Sequence, residues 1–234
     1  MVVTHPELTK SVKTIGGLTG FATTLRVAAT QQEGVLNLSY TNPPYWGNAY
    51  YRNEYDKVSA SYDQVAEAFS ASFKSIGTFV GQPFGSEKGE EVEKLRKYKY
   101  MFGMPYFDET KVLGEFDDHE AAVKTIDASL KSGKPGTRLV YKVSVPGEDL
   151  TLYGIALSGE KGEENFMPKI DITEPKHTAF LPYEILVMNG EVHMLHGRFR
   201  IALSFPDLTM GTFTKIMSTP GDIQDLMEQL TGED

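Results

Sequence analysis

The chain of 234 residues has 40 % apolar residues, 24 % charged residues and no cysteine, a composition typical of a globular protein with a substantial core. The lack of cysteine excludes disulfides, thiolate metal ligands and a cysteine nucleophile, and the net charge of −9 argues against bulk binding to nucleic acid or anionic membranes. No apolar run approaches the roughly 18 residues of a membrane span, and the N-terminus lacks a basic region followed by an apolar core. We therefore expect a cytoplasmic protein that makes no membrane contact.

The N-terminal part begins with weak helical patterns at residues 7–15 and 21–30, which glycines interrupt. Apolar and polar residues then alternate over Val35–Tyr40, which predicts a strand. This strand either joins the sheet predicted further along the chain or stands apart from it. Two prolines, a glycine and many aromatic residues follow at 41–57, and they predict a rigid aromatic loop.

Two helices are predicted next. The first runs from about Tyr62 to Val80, because its apolar residues recur at three- and four-residue steps, and Gly81-Gln-Pro83 ends it. The second covers about 90–102 and has an acidic first turn that suits the helix dipole. The apolar stripe of the first helix consists of Tyr62, Val65, Ala66, Phe69, Phe73, Ile76 and Val80.

The middle of the chain predicts a helix followed by two strands. The acidic residues at 117–120 form a capping-box pattern ahead of a short helix that ends at the next glycine. Alternating apolar residues predict strands over 138–145 and 150–157. The polar stretch 158–165 predicts a solvated loop, and the proline-flanked stretch 167–177 predicts an extended connection.

Asn189-Gly190 is the strongest hairpin signal in the chain, because a type I′ turn needs positive φ at both central positions and these two residues tolerate it. His196-Gly197 predicts a second tight turn, since histidine is enriched at positive φ. The two turns together predict a three-stranded meander over 183–206. The first turn sets a register that pairs Val187 with Val192, Ile185 with Met194 and Leu186 with His193.

One face of this meander is apolar and the other is mixed. The mixed face carries Glu184, Glu191, His193, Arg198 and Arg200 beside three apolar residues. This face is thus mixed rather than purely solvated. It is expected to be either a surface that binds something or the one wet face that antiparallel sheets commonly show without a function.

The C-terminal segment predicts two helices. Asp207 is expected to cap one that runs to about Met217, and Thr219-Pro220 begins the last one. The order of helices, then antiparallel strands, then helices is typical of an α+β fold. We predict a single α+β domain over 1–234, with a possible subdivision into a mainly helical part at 1–105 and an antiparallel β-meander closed by two short helices at 106–234. The buried face of the last helix consists of Ile223, Leu226, Met227 and Leu230.

Asn42-Pro-Pro-Tyr45, which follows a predicted strand, resembles the catalytic tetrapeptide of amino-group DNA methyltransferases. The resemblance covers these four residues and the strand before them. Those enzymes also need a glycine-rich cofactor loop after another strand, and no segment of this chain meets that requirement. We therefore assign no family and expect the prolines to stiffen a loop.

The sequence contains no complete catalytic, metal-binding or cofactor motif, so we expect no metal site and no cofactor. His193 and His196 are three residues apart, which on a strand places them on opposite faces. The unusual feature is the supply of 12 tyrosines and 13 phenylalanines, and tyrosine and tryptophan are favoured at interfaces. The leading hypothesis is a non-enzymatic binding or assembly protein that holds a protein partner or copies of itself as a homo-oligomer. The expected contact surface consists of Tyr45, Trp46, Tyr50, Tyr51 and Tyr55.

Two alternatives stay open. One is a protein that binds single-stranded nucleic acid through the basic and aromatic segment 94–107, although the net charge disfavours it. The other is an enzyme of an unrecognised family whose site on the polar sheet face involves Glu191, His193 and Arg200. The nucleic-acid hypothesis places Lys94, Arg96, Lys97 and Lys99 on phosphates and Tyr98 and Tyr100 on bases.

Overall fold

The structure is a computed structural model that describes residues 1–78 and 81–232. It has an α+β fold with two antiparallel sheets. The strands are β1 (Val2–Val3), β2 (Leu25–Gln32), β3 (Val35–Tyr40), β4 (Lys111–Glu115), β5 (Thr137–Ser144), β6 (Leu150–Leu157), β7 (Tyr183–Met188) and β8 (Glu191–Met194). The α-helices are α1 (Pro6–Ile15), α2 (Pro43–Tyr51), α3 (Ser59–Lys74), α4 (Val92–Leu95), α5 (His119–Ser132), α6 (Glu163–Ile170), α7 (Gly197–Ser204), α8 (Met210–Phe213) and α9 (Thr219–Glu228).

The Asn189-Gly190 hairpin is confirmed in place and in register. Val187 lies opposite Val192 while Leu186 lies opposite His193. Asn189 has a φ of 56°, but Gly190 is not at positive φ, so the turn is not the predicted type I′. The hairpin belongs to a five-stranded sheet with the order β4-β8-β7-β6-β5. Strands β5 to β8 are consecutive neighbours and form a meander, and β4, which the sequence did not predict, pairs with β8 at the edge.

The second predicted turn, at His196-Gly197, is wrong. His196 caps a helix instead, because its Nδ1 accepts a hydrogen bond of 3.2 Å from the backbone N–H of Arg198. The chain therefore leaves the sheet as α7. Arg200 consequently lies on a helix and not on the face of a strand.

The mixed face is not open to solvent as expected, because the central strands β6, β7 and β8 of the large sheet are covered on both faces. Leu186 belongs to one apolar core and its strand neighbour Ile185 to the other. Glu184 and His193 are only 2 % and 5 % exposed. The segment Gly17–Ala22, a 3₁₀-helix, packs on one face and α5 on the other. Gly20 lies so close to Leu186 that a Cβ atom there would overlap the leucine side chain.

The N-terminal part contains a small second sheet with the order β1-β2-β3. The strand predicted at 35–40 is confirmed, and it stands apart from the large sheet. The helix predicted at 21–30 is wrong, since most of that segment forms β2 and pairs with β3. Cross-strand pairing outweighs the weak helical pattern. Glu33 and Gly34, both at positive φ, turn the chain between the two strands.

The aromatic segment at 41–57 is helical and is not a loop. It forms α2 and then a 3₁₀-helix at Arg52–Lys57. Pro43 and Pro44 occupy the first turn of α2, where proline is tolerated because the first N–H groups have no partner within the helix. The prolines thus begin a helix that carries the aromatic residues inward.

The amphipathic helix α3 is confirmed over Ser59–Lys74, and the part of its predicted stripe at Val80 lies outside the described residues. The second predicted helix, at 90–102, is reduced to the four residues of α4. One apolar core contains residues from both sides of residue 105, the boundary of the possible subdivision. They include Leu8 and Tyr62 before it and Leu152 and Leu186 after it.

Further predictions concern the C-terminal half. The capping of α5 by Asp118 is confirmed, because its side chain accepts from the N–H of Ala121 at 2.8 Å. Residues 163–170 form α6 despite Pro168 in its interior, so the predicted loop and extended connection are wrong there. Asp207 does not cap α8; Thr209 does. Ile223, Leu226 and Met227 of α9 are buried as predicted, and Leu230 is buried in the 3₁₀-helix that follows α9. Across residues 1–78 and 81–232, no helix has the length and apolar character needed to cross a bilayer.

Candidate functional site

A buried group of charges lies where the small sheet, the large sheet and α7 meet. The Glu184 carboxylate on β7 lies with its Oε2 2.5 Å from Nη2 of Arg26 on β2 and 3.5 Å from Nη1 of Arg200 on α7. The side chains of Glu184 and Arg200 are 1 % exposed. We call these three residues the ion cluster. The carboxylate of Glu163 also interacts electrostatically with the guanidinium of Arg200.

Polar neighbours hold the ion cluster in place. Tyr141 donates a hydrogen bond to Oε1 of Glu184, and its ring lies over Gly154, where a Cβ atom would overlap it. Arg200 donates to the carbonyl oxygens of Phe180 at 2.7 Å and of Pro182 at 2.6 Å. Burial is the largest single effect on Arg26 and opposes its charged form, but the neighbouring groups, Glu184 first among them, together outweigh burial and raise the pKa of Arg26. The ion cluster therefore joins three parts of the fold and is closed to a substrate.

The predicted site on the polar sheet face is only partly assembled. Glu191 and His193 do meet, with Oε2 of Glu191 3.0 Å from Nε2 of His193, although the contact lacks hydrogen-bond geometry. Thr110 lies 3.1 Å from Nδ1 of His193. Arg200 belongs to the ion cluster instead, because it lies on α7. The structure thus does not bring the three predicted residues together.

Burial lowers the pKa of His193, and Glu191 opposes this effect only in part. A histidine whose pKa is lower in the folded state contributes stability above its unfolded pKa of about 6.5 and loses it as the pH falls below that value. We expect the free energy of unfolding of His193→Gln to fall less than that of the unmodified chain between about pH 7 and pH 5. Denaturant unfolding at several pH values measures the difference, and equal pH slopes would contradict this prediction.

The predicted aromatic contact surface is wrong for three of its five residues. Tyr50, Tyr51 and Tyr55 are buried in the core, because α2 and the 3₁₀-helix after it turn them inward. Tyr45 and Trp46 are half-buried against the same core. The Tyr45 hydroxyl donates to the carbonyl of Leu203 at 2.7 Å. A role for Tyr45 and Trp46 in an interface stays a prediction.

The segment predicted to bind nucleic acid does not form a basic groove. The hydroxyls of Tyr98 and Tyr100 donate to the carbonyls of Ala202 at 2.9 Å and Leu208 at 2.6 Å, so both rings are held by the fold. The guanidinium of Arg96 pairs with Asp56. An open groove of about 620 Å³ does lie here, but three glutamates share its lining with three lysines. Those residues are Glu90, Glu91 and Glu93 with Lys94, Lys97 and Lys99.

The free edge of β3 is the exposed feature that stands out. Val35, Leu36 and Leu38 are 60 %, 63 % and 41 % exposed. β3 has no charged residue and no proline, and it pairs only with β2 among the described strands. Tyr40, at its end, stacks on Phe69 of α3 with ring centroids 4.7 Å apart.

The backbone groups at this edge have a definite direction. The backbone carbonyl oxygen of Arg26 accepts a hydrogen bond of 2.9 Å from the N–H of Thr41, so Arg26 and Thr41 form a hydrogen-bonded pair. Along an antiparallel ladder, hydrogen-bonded and non-hydrogen-bonded pairs alternate. Tyr40 and Val27 therefore form a non-hydrogen-bonded pair. In agreement, the N–H of Val27 points away from β3 and donates to the carbonyl oxygen of Met1. By the same alternation, the N–H and C=O groups of Leu36, Leu38 and Tyr40 point away from β2 to the free edge.

The amino-acid sequence itself contains a signal for this edge. VLNLSY is a strand with no charge, and natural edge strands are commonly protected by charge or proline. In the described part of the chain, no group of three or more histidine or carboxylate side chains is arranged to hold a metal ion.

No family model, curated protein or solved structure matches this chain.

Proposed function

We propose that the chain is a non-enzymatic assembly protein that binds an extended segment of another chain along the free edge of β3. The observation that carries the proposal is an exposed, uncharged, apolar edge strand whose outward N–H and C=O groups have no strand beside them within residues 1–78 and 81–232. An added strand satisfies those groups with main-chain hydrogen bonds, and its alternate side chains give specificity. The cytoplasmic location expected from the sequence is part of this proposal.

The other edge strands support the proposal by contrast. β4 carries Lys111 and Glu115, and β5 carries Arg138 and Lys142. Charged residues on an edge discourage pairing with another chain, and β1 is only two residues long. The large sheet is therefore protected at both edges, whereas β3 is not.

A peptide with the sequence of residues 34–41, labelled with a fluorophore, should bind the chain in an anisotropy titration. We expect Leu38→Lys to weaken this binding at least about tenfold, because the added strand would then cover a charge, and tenfold corresponds to about 1.4 kcal/mol. The matched control is Val140→Lys on the charged edge β5, where the exposed fraction of 45 % is close to the 41 % of Leu38. This control should leave peptide binding unchanged.

At protein concentrations low enough to keep the chain monomeric, both variants should keep the unfolding midpoint of the unmodified chain, since each changes an exposed side chain. The proposed function is wrong if the peptide fails to bind at about 1 mM and the chain also stays monomeric in light scattering.

A further inference from the structure

We infer that the partner at this edge is a second copy of the chain, whose β3 pairs antiparallel with the first across a two-fold axis beside Leu38. The inference rests on the proposed function and names its partner. The pairing joins the small sheets of the two copies into one continuous sheet of six strands.

The direction of the backbone groups fixes the register. Residues that point outward on one copy must lie opposite residues that point outward on the other, because only these have N–H and C=O groups free to pair. In a two-fold arrangement about Leu38, Leu36 lies opposite Tyr40 and the two Leu38 residues lie opposite each other. A register shifted by one step places Leu36 opposite Leu38 and leaves Tyr40 opposite Gly34 in the turn. The register about Leu38 is thus the one that pairs all three outward residues.

The side chains suit this register. Leu36 and Tyr40 form an aliphatic-aromatic cross-strand pair twice, and side chains that lie directly opposite each other on one face are close enough to pack. Asn37 lies opposite Ser39, so two small polar side chains meet on the other face of the strands. No charged residue lies within β3. The Glu33 residues of the two copies lie at opposite ends, about ten residues or ~34 Å apart along the strands.

The apolar surface beside β3 continues across the axis. Tyr40 packs on Phe69 and Phe73 of α3, with both ring centroids 4.7 Å from its own. Leu36 of the second copy would lie next to Tyr40 and extend this group. Because the same patch is used on both copies, the contact is isologous and closes as a dimer, so it does not continue as a fibre. A charged strand of another protein would find no opposite charge to pair with on β3. A second copy of β3 has no charged residue, so it needs no such partner.

The absence of cysteine makes the register directly measurable, since one introduced thiol is the sole thiol in the chain. We expect Leu38→Cys to form a disulfide-linked dimer under mild oxidation, because opposed residues of a hydrogen-bonded pair have Cα atoms about 5.5 Å apart, within the range that a disulfide bridges. Leu36→Cys is the matched control. It is more exposed than Leu38, but its two copies would lie about four residues or ~14 Å apart, so it should not cross-link to itself.

A mixture of Asn37→Cys and Ser39→Cys tests the same register a second time. These two positions lie opposite each other across the axis, so the mixture should give a cross-linked heterodimer while neither variant alone cross-links efficiently. In light scattering, we expect the unmodified chain and Val140→Lys to be dimers and Leu38→Lys to be a monomer.

Two outcomes would overturn the inference and leave strand addition intact: peptide binding by a chain that stays monomeric, or equal cross-linking of Leu36→Cys and Leu38→Cys. In the first case the edge accepts a strand of a different protein, and in the second the copies pair in another register. Failure of both the peptide and the self-association would instead overturn the proposed function itself.

Discussion

Replacing Glu184 by glutamine is expected to lower the free energy of unfolding by about 3–5 kcal/mol. The side chain keeps its shape and loses its charge, so the loss reports electrostatics rather than packing. Arg26 and Arg200 then stay buried without the carboxylate that offsets their desolvation, since its Oε2 lies 2.5 Å and 3.5 Å from their guanidinium nitrogens. Unfolding in denaturant measures the difference.

Glu115→Gln is the matched control for this experiment. Glu115 is an exposed carboxylate on strand β4 and lies opposite Glu191, which has the same charge. Its replacement should change the free energy of unfolding by no more than about 0.5 kcal/mol in either direction. If Glu184→Gln costs less than about 1 kcal/mol, the value of an exposed ion pair, the ion cluster is solvated and does not hold the sheets and α7 together.

Leu226→Ala is expected to cost about 2–5 kcal/mol, the loss typical of a large-to-small change in a core. Leu226 lies on the buried face of α9, which closes the second core together with Ile223, Met227 and Leu230. Its Cδ2 reaches Gly136, where an added Cβ would come within 2.9 Å. Shortening the side chain leaves a cavity at this contact.

Met217→Ala serves as the comparison, because Met217 lies shortly before α9 and is 56 % exposed. We expect its effect on the free energy of unfolding to stay within about 0.5 kcal/mol. A similarly small effect for Leu226→Ala would mean that α9 detaches from the core in solution and is free to contact a partner.

Local signals in the sequence were sufficient where a few adjacent residues decide the backbone. The Asn189-Gly190 turn fixed the pairing of β7 with β8, because a change of one residue in register would have turned every apolar side chain to the opposite face. Asp118 and Gly133 fixed the two ends of α5, since one satisfies its first N–H groups and the other adopts the left-handed conformation at its end.

Signals that fit two backbones were decided by tertiary contacts. His196-Gly197 suits a turn and a helix cap equally well, and α7 formed because it places Phe199 in one core and Ile201 in the other. The pattern at 21–30 suited a helix, but β3 offered a partner strand. The core residues that decided α7 are far away in the sequence, whereas β3 follows β2 after a two-residue turn.

The sequence by itself determined the α+β class, the Asn-Gly hairpin, α5, the buried face of α9 and the strand β3. Only the tertiary structure decided which surfaces are free. Tyr50 and Tyr51 of α2 are buried because that helix packs inward, and Glu184 is buried because two distant arginines meet it. One edge of β3 is free because no strand in the described part of the chain lies on the side away from β2. Burial depends on what covers a residue, and the covering residues come from elsewhere in the chain, so composition and periodicity do not reveal it.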